Sequence, residues 1–313
     1  MRIFHSLEEI PAGFGPTVVS VGNFDGVHRA HQRVLKQVVL RAKESRAHSV
    51  AVTFEPHPMR ILHPEAAPLL ITPTEEKLRL LAATGVEAMV VLPFTRDFSV
   101  LRPEEFARRV LRERLCAIEV HEGANFHFGH RATGTAANLA EFGHKMGFEV
   151  EIYAEMKIGR DIVSSSTIRE LLRSGKLGRA RRLLGRVFSI NSTPGRGRGY
   201  GRKYTVPTIN LAKYKELAPA DGVYITRTRL NGETFDSVTN IGNRPTFGAD
   251  SFAIESHLLN FHPISLTAET AIELCFLKRL RDEIKFPSVD ALREQIAKDV
   301  HRARRFFRLA NLP

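Results

Sequence analysis

Two histidines three residues apart, His28 and His31, stand directly behind a glycine-bracketed aspartate in the segment "GNFDGVHRAH". If the chain is helical from residue 28 onward, both imidazoles lie on one helix face. Three interpretations follow. The histidines are incidental residues on a helix surface, they share a metal ion, or they donate hydrogen bonds to a phosphate held at the helix N-terminus, where unpaired N–H groups attract anions.

The phosphate interpretation uses every part of this segment, and three later segments support it. Glycines allow the backbone to approach a ligand, and histidine donors can stabilise charge that grows on a phosphate in a transition state. Each later segment follows a predicted strand: "TFEPHP" (53–58), "EGANFHFGHRATG" (122–134) and "VSSSTIRELL" (163–172). The last one opens a predicted helix with consecutive hydroxyls and then Arg169, which makes a second candidate anion site.

The elements that must position these residues follow from the pattern of residues 17–172. Short β-rich runs alternate there with amphipathic helical windows at 28–44, 74–84, 103–115 and 135–146. The runs are "TVVSVGNF", "SVAVTF", "EAMVVLPF", "AIEVHEG" and "GFEVEIYAE". Such alternation predicts an α/β fold with a parallel sheet and crossover helices, in which ligands bind at the carboxyl ends of the strands.

The second half of the chain has a different pattern. After a basic helical segment, 166–185, strands follow one another with short turns between them: "RVFSIN", "GVYITRTRL", "TFDSVTNIG", "FAIESHLLNF" and "TAIELCFLKRL". This succession predicts an antiparallel sheet or small β-barrel, flanked by a terminal helix at about 288–309. We therefore expect two domains, 1–180 and 186–313.

A second candidate site lies at the start of that half, in "GRGRGYGRKYTVPTINL" (195–211). The segment can be a flexible basic loop, an RNA-binding patch, or a loop whose glycines and cations hold a triphosphate. Thr208 and Asn210 are two residues apart on a predicted strand and so point to the same side, where their oxygens could bind Mg²⁺.

Composition limits the class of protein. The chain of 313 residues is 43% hydrophobic and carries a formal charge of +12. No apolar run is long enough to span a membrane, and the N-terminus does not have the order of a signal peptide, so we expect a cytoplasmic protein without a membrane partner. The positive charge is compatible with nucleic-acid binding, but enzymes of nucleotides are also basic, and we consider nucleic acid an unlikely partner. Cys116 and Cys275 are expected to be buried free thiols.

The segments "GNFDGVHRAH", "TFEPHP", "GANFHFG" and "VSSSTIR", in this order and spacing, resemble the adenylyltransferase module of the prokaryotic bifunctional riboflavin kinase/FMN adenylyltransferases, or FAD synthetases. The resemblance implies a Rossmann-like nucleotidyltransferase domain of the His-x-Gly-His type, with His28, His31 and Arg169 as catalytic residues. It also implies nucleotide binding by Gly22, Phe24, Asp25, Gly26, Asn125, Ser164 and Ser165.

Residues 186–305 resemble the riboflavin kinase module of the same family, through "PTIN", "PADGVYITR", "TNIGNRPTF" and "IESHLLNF". The resemblance implies that Thr208 and Asn210 bind Mg²⁺ and that Glu255 is the general base for the ribityl 5′-hydroxyl. It further implies nucleotide binding by Gly199, Gly201, Lys203 and Pro207, and flavin binding by Arg281, Asp282 and Phe286. The implied ligands are riboflavin, FMN, FAD and ATP; the sequence does not indicate an oligomeric state.

The sequence departs from the family pattern in both modules. Ala30 replaces the glycine between the two histidines, Ser166 replaces a threonine, Thr205 replaces a glycine and Asn260 replaces an aspartate. Ala30 adds a methyl group where the family backbone packs against the nucleotide. Two alternatives to a bifunctional enzyme therefore stay open here: a riboflavin kinase with a degenerate first module, and a basic RNA-binding protein.

Overall fold

The computed structural model describes residues 1–195, 208–243, 252–262 and 266–310. The chain forms two compact units, Met1–Ser165 and Ser166–Pro313, and each is described by itself. No helix among the described residues is long and apolar enough to cross a membrane. Both cysteines are free, as predicted; Cys275 is buried, whereas Cys116 is only half-buried.

The first unit alternates strands and helices. Its strands are β1 Arg2–Phe4, β2 Thr17–Val21, β3 His48–Glu55, β4 Ala88–Pro93, β5 Ala117–Gly123, β6 His127–Phe128, β7 Gly134–Thr135, β8 Glu149–Tyr153, β9 Lys157–Ile158 and β10 Asp161–Ile162. Its helices are α1 Arg29–Glu44, α2 Pro58–Leu62, α3 Thr74–Ala82, α4 Arg96–Ser99, α5 Pro103–Phe106 with a π-helical continuation to Arg114, and α6 Ala136–Met146. Short 3₁₀ turns lie at Pro64–Ala66 and His130–Ala132.

Six strands of this unit form one parallel sheet in the order β1-β4-β3-β2-β5-β8. The predicted parallel α/β fold is therefore confirmed; the short edge strand β1 was not predicted. From β2 the sheet grows through β3 and β4 in one direction and through β5 and β8 in the other. The topological switch point lies between β2 and β5, and in such sheets ligands bind in the crevice at that point.

Strand β2 is buried along its whole length because helices cover both faces of the sheet. On one face Val18 packs with Val38 and Ala42 of α1. On the other face Val19 and Val21 share a core with Leu139 of α6. The continuous apolar run in the sequence thus corresponds to a central strand.

The second unit is antiparallel. Its strands are β11 Phe188–Ser192, β12 Thr208–Asn210, β13 Gly222–Leu230, β14 Glu233–Asn243, β15 Phe252–Leu258 and β16 Ile272–Arg281. They pair in the order β11-β16-β13-β14-β15-β12, in agreement with the predicted antiparallel sheet. The predicted helical segment is two helices, α7 Ser165–Arg173 and α8 Leu177–Leu184, because Gly175 adopts a left-handed φ of 66° between them. The terminal helix is α9 Val289–Ala310.

The core of the second unit contains a closed network of hydroxyl groups. Thr226 Oγ1 lies 2.8 Å from Ser237 Oγ and 2.7 Å from Thr239 Oγ1. Thr228 Oγ1 lies 2.9 Å from Ser237 Oγ and 2.8 Å from Ser256 Oγ. All five side chains are fully buried, so their hydroxyls depend on one another for hydrogen bonds and tie β13, β14 and β15 together.

We expect Thr226→Val to lower the free energy of unfolding of the second unit by about 1–3 kcal/mol, because valine keeps the shape but leaves two buried hydroxyls with fewer partners. The measurement is urea unfolding followed by circular dichroism. The matched control is Thr234→Val, at an exposed position of β14, which should stay within about 0.5 kcal/mol of the wild type. Equal effects of the two substitutions would show that the network does not stabilise the core.

Candidate active sites

The segment Gly22–His31 connects β2 to α1 at the switch point of the parallel sheet. Three of its residues have left-handed φ angles: Phe24 at 47°, Gly26 at 85° and Val27 at 37°. Such angles are unfavourable for phenylalanine and valine. Both side chains are buried in one core cluster, which holds the loop in this shape; local strain of this kind is common at functional sites.

Asp25 fastens the loop from inside the protein. Its carboxylate accepts hydrogen bonds from the backbone N–H groups of Ile71 (3.1 Å) and Thr72 (2.9 Å), and Thr72 Oγ1 in turn accepts the N–H of Gly26 at 2.9 Å. Ser165 Oγ donates to the Asp25 carbonyl at 2.8 Å. The predicted nucleotide-binding residues Phe24 and Asp25 therefore shape the loop through its buried side, at 2% and 3% exposure.

The two histidines are stacked at the start of α1. Their ring centroids are 3.6 Å apart, and His28, the N-cap residue, accepts the N–H of His31 at its Nδ1 atom at 3.4 Å. The Nδ1 atom of His31 is buried and has no hydrogen-bond partner among the described residues. Burial, with a smaller contribution from the neighbouring His28, lowers the pKa of His31 well below its usual value, so the ring is neutral and its nitrogen is available to a ligand.

A shared metal ion is the other interpretation of this pair. Within the described parts of the chain, no three His, Cys, Asp or Glu side chains are grouped so that they could hold one. Two stacked imidazoles at a helix N-terminus fit an anion better than a cation.

Sequence reasoning missed a buried cation beside this loop, Lys77 on α3, which is 6% exposed. Its Nζ donates to Thr53 Oγ1 at 3.2 Å and to the Phe54 carbonyl at 3.4 Å, at the end of β3. Thr53 Oγ1 donates to the Asn23 carbonyl at 3.3 Å, so Lys77 supports the loop through β3. Burial lowers the pKa of Lys77, and Glu55 and Asp25 oppose this change. A lysine on the apolar face of a predicted helix was the signal available in the sequence.

The other predicted residues of the first site lie on loops at strand ends. Asn125 is exposed in the turn after β5, and Ser164 and Ser165 are half-buried where α7 begins. Arg169 lies one turn into α7, is 8% exposed, and belongs to the second unit; its catalytic role is part of the proposal below.

In the second unit the strand register brings three predicted residues to one face of the sheet. Asn210 of β12 is paired with Glu255 of β15, and Thr208 with His257. Thr208 Oγ1 lies 3.4 Å from His257 Nδ1. Burial lowers the pKa of His257, and the charge of Arg304 adds to this. His257 lies in the segment "IESHLLNF", and no role was predicted for it.

Four predicted nucleotide-binding residues, Gly199, Gly201, Lys203 and Pro207, lie outside the described residues, as does Thr205. Of the predicted flavin-binding residues, Arg281 forms an ion pair with the buried Asp299 of α9 at 2.8 Å. Its guanidinium also lies 5.8 Å from the ring centroid of Phe286. Asp282 is paired with Arg279 at 2.8 Å. These contacts attach the end of β16 to α9 and hold the segment that follows β16 against that strand.

Comparisons with known proteins agree with both halves of this description. The FAD synthetase family model matches residues 11–167, and the riboflavin kinase family model matches residues 184–307. A bifunctional riboflavin kinase/FMN adenylyltransferase from Buchnera aphidicola subsp. Schizaphis graminum is 32% identical over 99% of this chain and 99% of its own. One from Haemophilus influenzae is 33% identical over 98% of each chain.

A solved structure described as a macrolide-efflux protein from Streptococcus pneumoniae has a TM-score of 0.86 and 27% sequence identity, covering 96% of this chain and 98% of that one. The word efflux belongs to the description of that protein alone. The structural similarity of the two chains supports the two-unit fold described above. The two family models together place the chain in a class of enzymes that transfer phosphoryl and adenylyl groups to flavins. The chain belongs to the bifunctional riboflavin kinase/FMN adenylyltransferase family.

We expect Asp25→Ala to lower the free energy of unfolding of the first unit by about 2–4 kcal/mol, because two buried N–H groups lose a charged acceptor. Asp25→Asn keeps one acceptor oxygen and should cost less. Chemical denaturation measures both, with the exposed Asp97→Ala as control. If Asp25→Ala is as stable as that control, Asp25 does not fasten the loop.

The pKa of His31, a half-buried residue whose Nδ1 atom is buried, also predicts a pH dependence of stability. Because its pKa is lowered in the folded state, the unfolded chain gains a proton that the folded chain does not as the pH falls below about 6.5. Stability should decrease there, by up to about 1.4 kcal/mol per pH unit from this residue. His31→Gln should reduce the slope between pH 7 and 5, whereas the exposed His63→Gln should not. Parallel slopes for all three proteins would contradict the expectation.

Proposed function

We propose that the second unit converts riboflavin and ATP into FMN and ADP, and that the first unit converts FMN and a second ATP into FAD and pyrophosphate. Membership of the family rests on two family models that together span most of the chain. The observation that carries the assignment of adenylyl transfer to the first unit is the stacked pair His28 and His31 at the switch point, in which His31 Nδ1 is buried without a hydrogen-bond partner among the described residues. A cytoplasmic location is part of the proposal.

In adenylyl transfer the FMN phosphate attacks the α-phosphorus of ATP. The nucleophile is already an anion, so the protein has to align the two phosphates and neutralise their charge. His28 and His31 donate hydrogen bonds to the α-phosphate, and the N-terminus of α1 adds positive potential. Ser164, Ser165 and Arg169 hold the pyrophosphate as it leaves, and Asn125 holds the nucleotide.

In the kinase reaction Glu255 accepts the proton of the ribityl 5′-hydroxyl as that oxygen attacks the γ-phosphorus. The pairing of Asn210 with Glu255 supports this role, because it puts the base beside the residues expected to bind the cation. Thr208 and Asn210 offer hydroxyl and amide oxygens, the donor class that Mg²⁺ prefers. The bound ion would neutralise charge on the ATP phosphates. Gly199, Gly201, Lys203 and Pro207 hold the triphosphate, and Arg281, Asp282 and Phe286 hold the flavin.

Substitutions should separate the two activities. We expect His28→Ala with His31→Ala to lower FAD formation at least 100-fold and leave FMN formation within threefold of the wild type. Glu255→Gln should lower FMN formation at least 100-fold and leave FAD formation from FMN within threefold of the wild type. The measurement mixes purified protein with riboflavin or FMN, ATP and Mg²⁺ and separates the products by chromatography.

Loss of both activities in either variant, with the fold intact by circular dichroism, would contradict the two-site assignment. FMN as the sole product of the wild type would leave a riboflavin kinase with an inactive first unit. No turnover of either flavin would favour a binding protein.

A further inference from the structure

A buried carboxyl group lies between the two strands that flank the switch point. Glu122 is the penultimate residue of β5, and its Oε1 atom accepts the N–H of Val21, the last residue of β2, at 2.6 Å. The ladder between these strands ends at the pair Val19 and Val120. Val21 and Glu122 lie two positions beyond that pair, so the Glu122 side chain joins the two strands after their backbone ladder has ended.

The environment of Glu122 is unusual for a glutamate. The residue is 4% exposed, and its Oε1 atom is taken up by the Val21 N–H. Burying a carboxyl group costs stability, and an apolar side chain would fill a central strand at lower cost. A buried group that is unfavourable for folding and lies where ligands bind is a candidate for function.

The buried position of the carboxyl group favours its neutral form. Burial raises the pKa of Glu122 well above its usual value; the Val21 N–H opposes this. A neutral carboxyl group has one oxygen that accepts and one O–H that donates. The accepting oxygen binds the N–H of Val21. The O–H group can therefore donate to another acceptor. An ionised carboxylate at this point would repel a triphosphate, whereas the neutral form can donate to one.

We propose that Glu122 is a nucleotide-binding residue of the adenylyl-transfer site, which holds the end of β2 with one carboxyl oxygen and donates the proton on the other to bound ATP. Val21 directly precedes Gly22, the first residue of the loop that carries His28 and His31, so the carboxyl group lies at the start of that loop. The inference rests on the function proposed for the first unit and adds a contact from β5 to the set predicted from the sequence.

The test compares Glu122→Gln with Glu122→Met in FAD formation from FMN and ATP. The amide of glutamine can still accept from Val21 and donate to the nucleotide, whereas methionine has similar volume and does neither. We expect Glu122→Met to raise the KM for ATP at least tenfold with a smaller change in kcat, and Glu122→Gln to stay within threefold of the wild type. Glu151→Met, at an exposed position of the neighbouring β8, is the matched control, and thermal unfolding followed by circular dichroism reports whether the first unit of each variant is folded.

An unchanged KM in Glu122→Met, or an equal rise in Glu122→Gln, overturns the inference while FAD formation by the wild type still supports the proposed function. A wild type that forms no FAD overturns both. If Glu122→Met does not fold, the inference is tested by carbon-13 NMR of wild-type protein that contains carbon-13-labelled glutamate. The Glu122 carboxyl resonance, assigned by its loss in Glu122→Gln, should shift on addition of α,β-methylene-ATP; an unshifted resonance overturns the inference.

Discussion

The separation of β2 from β5 at their carboxyl ends is the constraint on which the first unit depends. These neighbouring parallel strands lead into helices on opposite faces of the sheet, α1 after β2 and α6 after β5. Their ladder therefore stops at Val19 and Val120, and the backbone beyond it has to find other partners. The crevice and the loop that borders it are consequences of this change of direction.

The loop beside the crevice is held from its buried side by hydrogen bonds and by packing in the core. Asp25 binds the backbone at residues 71 and 72, while Phe24 and Val27 are inserted into the core despite their left-handed φ angles. Lys77 donates a hydrogen bond to Thr53 near the end of the neighbouring strand, β3. With the loop fixed from its buried side, His28 and His31 are stacked at its end, and the Nδ1 atom of His31 has no hydrogen-bond partner among the described residues.

In the second unit the strand register positions the candidate site residues. Antiparallel pairing places residues of β12 directly opposite residues of β15, so side chains far apart in sequence share one face. The buried hydroxyl network ties β13, β14 and β15 together. It lies on the other face of β15, because the side chains of Glu255 and Ser256, consecutive along that strand, point to opposite faces. A one-residue slip would turn Glu255 away from Asn210, and the network opposes such a slip.

Much of this protein is determined by its sequence. The alternation of β-rich runs with amphipathic windows predicts the parallel sheet of the first unit, and the succession of strands predicts the antiparallel sheet of the second. Both predictions depend on the spacing of apolar residues, because a helix and a strand bury apolar residues at different intervals. The motif segments could be placed at strand ends for the same reason. Only the tertiary structure decided which polar residues face inward. Lys77 and Glu122 have ordinary positions in a helix and a strand pattern, and Asp25 and Phe24 stand in a motif that resembles a ligand-binding loop. The burial and hydrogen bonding of these residues depend on neighbours 23 to 101 residues away in the chain, and the local sequence does not identify those neighbours.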